Sequence, residues 1–118
     1  MLQSLEELRL TLESSNYSDE IKEKILENSK EMFLLNNFLK DKYPNTSQDF
    51  IENKTDVYIK SRIESRLTES SDEKHVMDEI INLSVDFARE EGYENIDSLR
   101  VSLTNMINLH NEQRNENN

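Results

Sequence analysis

Asp72-Glu-Lys-His-Val-Met-Asp-Glu-Ile-Ile-Asn-Leu-Ser-Val-Asp-Phe-Ala-Arg-Glu-Glu-Gly92 is the stretch that decides the fold. Val76, Met77, Ile80, Leu83, Phe87 and Ala88 recur at three- and four-residue steps, the period of one helix face. Gly92 follows the last of them, where a helix C-terminal cap calls for a residue at ease with positive φ. Ser70-x-x-Glu73, just upstream, has the spacing of a capping box. The segment predicts a helix over about 72–91, and Gly92 is the only glycine in 118 residues, alongside a single proline. Tight hairpins draw on glycine at their corners, so a strand-rich fold is disfavoured throughout.

The same period extends to both sides. Leu2, Leu5, Leu8 and Leu12 predict a first helix over about 2–13. Ser18 caps a second that runs to about Tyr43, with Asp19 and Glu20 at the positive end of its dipole. Pro44-Asn45-Thr46-Ser47 is the clearest loop. Ile59, Ile63 and Leu67 place a third helix over about 48–68, although Phe50 and Val57 point away from that row and Thr55-Asp56 could interrupt it. Asn95 or Asp97 starts a fifth helix, carried by Ile96, Leu99, Leu103, Met106 and Ile107. The prediction is an all-α, up-and-down bundle of four to five helices, because short connections favour antiparallel neighbours. One helical domain spans 1–110, and 111–118, which lacks any apolar residue, is expected to be a flexible polar tail.

Composition narrows function by exclusion. The formal charge is −11, with 25 acidic against 14 basic side chains, and there is no cysteine. Disulfides and thiolate zinc sites are therefore out. No apolar run is long enough to cross a bilayer, and the first residues are acidic where a signal peptide needs a basic flank, so no membrane role and a cytoplasmic location are expected. Phosphate-cradling loops and nucleophile elbows need several glycines. Asp72-x-x-His75 is half of a di-iron-type motif, and His110 has no carboxylate three residues before it. Adjacent carboxylates such as Glu6 and Glu7 diverge by about 100° on a helix. No catalytic residue, metal ligand or cofactor is expected, and the chain is read as non-enzymatic.

Recognition remains. Residues 83–104, with Ala88-x-x-x-Gly92 followed by a second helix, resemble a helix-turn-helix, yet Glu91 sits at a position usually apolar and Arg100 is the one cation of the would-be recognition helix. DNA affinity rests on cations that neutralise phosphate, so direct nucleic-acid binding is disfavoured against a plain helix–glycine cap–helix hairpin. Asp72, Glu79, Asp86 and Glu90 fall within about 40° of one another on the wheel. That stripe suits a basic protein partner, imitates a phosphate row, or is a solvated face. Lys60, Arg62 and Arg66 form the one basic segment, able to pair with the acidic helix internally or to meet an external anion.

Around Phe33, Leu34 and Phe38 the second helix is apolar almost all round, which requires either a central position or cover from another chain, a second copy included. The reading is a small acidic helical protein that acts by protein–protein interaction, as adaptors, inhibitors, immunity proteins and phage accessory factors do. Phe33, Leu34 and Phe38 are the expected affinity patch, and the acidic stripe the element of partner choice. The alternative is a nucleic-acid-linked regulator, either a DNA mimic or a divergent helix-turn-helix.

Overall fold

The computed structural model describes the backbone of residues 4–116 and the side chains of residues 4–113. Its elements are α1 (Leu5–Glu13), α2 (Asp19–Lys42), α3 (Gln48–Ile63), α4 (Glu73–Glu90) and α5 (Ile96–Glu116), with one 3-10 turn, Glu64–Arg66, after α3. No strand occurs among the described residues, and the chain is an all-α bundle of five helices.

Four helices start on a side-chain cap that accepts from the backbone N–H three residues on: Ser4, Ser18, Ser47 and Asp72. Each satisfies one of the donors that a helix start leaves without an internal partner. Asp72, not Ser70, caps α4. Ser70 lies in the preceding turn, where Thr68 N–H donates to Ser71 Oγ at 2.8 Å. At the far end Gly92 takes φ 96°, Tyr93 N–H bonds Ala88 O and Gly92 N–H bonds Arg89 O, both at 3.0 Å. This pair of bonds is the Schellman arrangement. α3 is unbroken through Thr55-Asp56, and α5 continues through Glu116 rather than ending near residue 110. The Leu2 of the expected first helix lies outside the described residues.

α2, α3, α4 and α5 form a ring in which each packs on the next and α5 closes on α2, while α1 rests on α2. Asn28 bonds Asn105 while Phe38 packs near Ile96, so α2 and α5 are antiparallel. Asn82 bonds Arg100 within the α4–α5 hairpin, and the Tyr58 ring packs at a tilt against Phe87 between α3 and α4. The molecule measures 42 × 37 × 23 Å. Its thin dimension equals about two helix diameters, so most helices keep a face in water. α4 is the exception. Ile81, Leu83, Val85, Phe87 and Ala88 are all buried, whereas α2 buries only Ser29 and Leu39. The central helix is thus α4, and the all-round apolar segment of α2 is left partly uncovered.

Candidate functional site

The acidic stripe and the basic segment face one another across the α3–α4 contact. Arg66 reaches Glu79 at 3.3 Å and Asp86 at 3.2 Å, and Arg89 reaches Asp86 at 3.2 Å. The hydrogen bond to Glu79, and the two carboxylate charges, hold the Arg66 pKa above its ordinary value. Arg62 lies 3.7 Å from the Tyr58 ring centroid and donates to Tyr58 O, while Lys60 is exposed. Asp72 is occupied as a helix cap, and exposed Glu90 accepts from the Tyr58 hydroxyl, which raises the tyrosine pKa. Of the four carboxylates singled out in the sequence, two carry an internal guanidinium, one caps a helix and one holds a phenol.

Segment 83–104 folds as a hairpin within the ring. Arg100 donates to Asn82 Oδ1 at 2.6 Å, so it faces α4. Glu91, out of place in a DNA-binding turn, works here as a structural tie, accepting from Lys42 at 2.9 Å and from the Tyr43 hydroxyl at 2.6 Å. Burial alone would raise its pKa, but these bonds and the charges of Lys42 and Lys54 outweigh that and hold it below the usual carboxylate value. Glu91 thereby fastens the end of α4 to the end of α2. A second tie joins the Tyr93 hydroxyl to Glu31, and burial together with that bond pushes the Tyr93 pKa up to about 12.

Phe33, Leu34 and Phe38 do not make one patch. Phe38 packs edge-on to Tyr93 at 5.6 Å and belongs to the core between α2 and α5. Leu34 is half exposed on the outer side of α2. They diverge because about 100° separates successive residues on a helix. Phe33 instead turns, with Met32, into a cleft.

That cleft has a volume near 530 Å³. Contacts between α2 and α3 are concentrated near their connecting loop, where Leu39 meets Ile51 and Gln48 bonds Asn36 at 2.6 Å. The cleft opens between these helices, with Ser84 of α4 and Leu103 and Met106 of α5 also lining it. Its surface is mostly apolar, and Glu52 and Asp56 of α3 are the charged residues of its described lining. Sequence reasoning missed Met32, Glu52, Asp56 and Met106 as members of one site. No local pattern marks them: Ile51, Glu52, Thr55 and Asp56 are the α3 residues of the lining, whereas Phe50 and Val57, which depart from the Ile59 row, are exposed outside it.

His75 Nε2 lies 3.2 Å from Arg66 O, and His110 is exposed. Among the described residues no group of three His, Asp or Glu side chains is placed to hold a metal ion, and no helix is long and apolar enough to cross a membrane. Compared with known proteins, the chain matches no family model, no curated protein and no solved structure.

Proposed function

We propose that this chain is a non-enzymatic binding protein that acts by receiving a segment of another protein in the cleft between α2 and α3. One observation carries the reading: an open, mostly apolar cleft near 530 Å³, with Met32 44% exposed at its edge. Apolar surface left open on a thin, highly charged bundle works against solubility unless it serves recognition. Concave apolar sites with a few polar groups are the usual seats of binding. The acidic stripe, being tied up with Arg66 and with a helix cap, is secondary in this reading.

Photo-crosslinking in the native host tests it. A benzoylphenylalanine replaces Met32 in one variant and Val101, which is 58% exposed on α5, in another. Discrete protein adducts from position 32, absent from position 101 and lost on adding Phe33→Asp in a chain that keeps its helical circular dichroism, support the proposal. Identical adducts from both positions, or none from position 32, refute it.

A further inference from the structure

Resting on the reading of the cleft as a binding site, we propose that its occupant is a basic amphipathic helix of a partner protein. Shape is the first argument. The cleft lies between two helices joined by a short loop, with Leu103 and Met106 of α5 also in its lining and Leu39, Ile51 and Leu99 its buried members. A third helix laid between two others packs its ridge into such a groove at about 8–10 Å between axes.

The lining is the second argument. Met32 and Met106 both contribute, and thioether side chains adapt to irregular apolar surfaces better than branched ones.

Charge is the third, and it selects among occupants. Glu52 and Asp56 sit one turn apart on α3 and therefore share a face. Among the described residues no cation pairs with either, whereas Glu79, Asp86 and Glu91 each hold a cation of this chain. Glu52 accepts a hydrogen bond from the Gln48 side chain at 3.1 Å, its one hydrogen bond from a side chain among the described residues. A second copy of a chain with net charge −11 would bring carboxylates to carboxylates. A helix with Lys or Arg beside its apolar stripe complements the rim, and it associates faster for the long-range attraction.

The test titrates the full chain into fluorescein-labelled synthetic peptides of about 18 residues, five helical turns. One carries Leu and Phe at i, i+3, i+4 and i+7 with lysines flanking the stripe. The second replaces every lysine by glutamate, and the third scrambles the first. Anisotropy is expected to show the lysine peptide binding about tenfold tighter than the glutamate peptide, the scale two partly exposed ion pairs supply. Glu52→Lys/Asp56→Lys is expected to abolish or reverse that preference, with Glu52→Gln/Asp56→Asn lying between. Phe33→Asp is expected to weaken both peptides. Equal affinities for lysine and glutamate peptides, no effect of either rim variant, or no binding of the lysine peptide overturns the basic helix; an adduct from position 32 would still uphold the broader reading. A dimer in sedimentation that Met32→Asp dissociates makes a second copy the occupant and also overturns it.

Discussion

Tyr93 shows how one residue can join several levels of the structure. It follows the Gly92 cap of α4, its ring is buried against Phe38, and its hydroxyl donates to Glu31 of α2. The phenol keeps its proton to about pH 12 because the anion would be both buried and placed beside a carboxylate. In the unfolded chain a tyrosine titrates near pH 10. A raised folded pKa gives stability that is complete below the unfolded value and lost as pH rises through the folded one. Stability is therefore expected to fall between about pH 10 and about pH 12, and urea midpoints across that range measure it. Tyr93→Phe should flatten the decline, though not remove it, since the Tyr43 and Tyr58 pKa values are raised in the same sense. An unchanged slope in Tyr93→Phe would mean that neither burial nor the Glu31 bond holds the phenol's pKa up in solution.

At the scale of the elements, α4 and α2 exchange the roles that their sequences suggest. α2 has the denser apolar segment, Met32 to Leu39, yet Leu34 is 50% exposed, while α4 encloses Leu83 completely. Leu83→Ala should cost about 2–5 kcal/mol, as for other buried leucines. Leu34→Ala should stay within about 0.5 kcal/mol. Paired denaturation curves decide this, and a large loss at Leu34 would place it in a buried contact. The five helices, the Ser18 cap and the Gly92 stop were legible because they depend on residues close in sequence. The Asp72 cap was harder to pick, since Ser70-x-x-Glu73 also satisfies the pattern and only the turn at 68–71 separates the two. Which way Phe33, Leu34 and Phe38 point is a matter of which neighbour lies at each angle, and no local pattern carries that.

For the whole molecule, the pairing of Arg66 with Glu79 and Asp86 was readable as an option, because a basic segment precedes an acidic helix. The cleft was not. It arises from where α2 and α3 part, and contacts between helices decide that distance, not the period within either. Phe50 and Val57, which make the apolar pattern of α3 diffuse, do not line it. The attachment of α1 has a consequence of a different kind. Its main support is a single neighbour, α2, whereas each helix of the ring has at least two. Peeling α1 away leaves the ring closed, so its opening needs less free energy than global unfolding. Deuterium should enter the amides of 8–13 by this local route well before those of 81–88, and mild urea should speed the second set while barely changing the first. Equal protection in the two would mean that the small N-terminal helix and the ring melt as one cooperative unit.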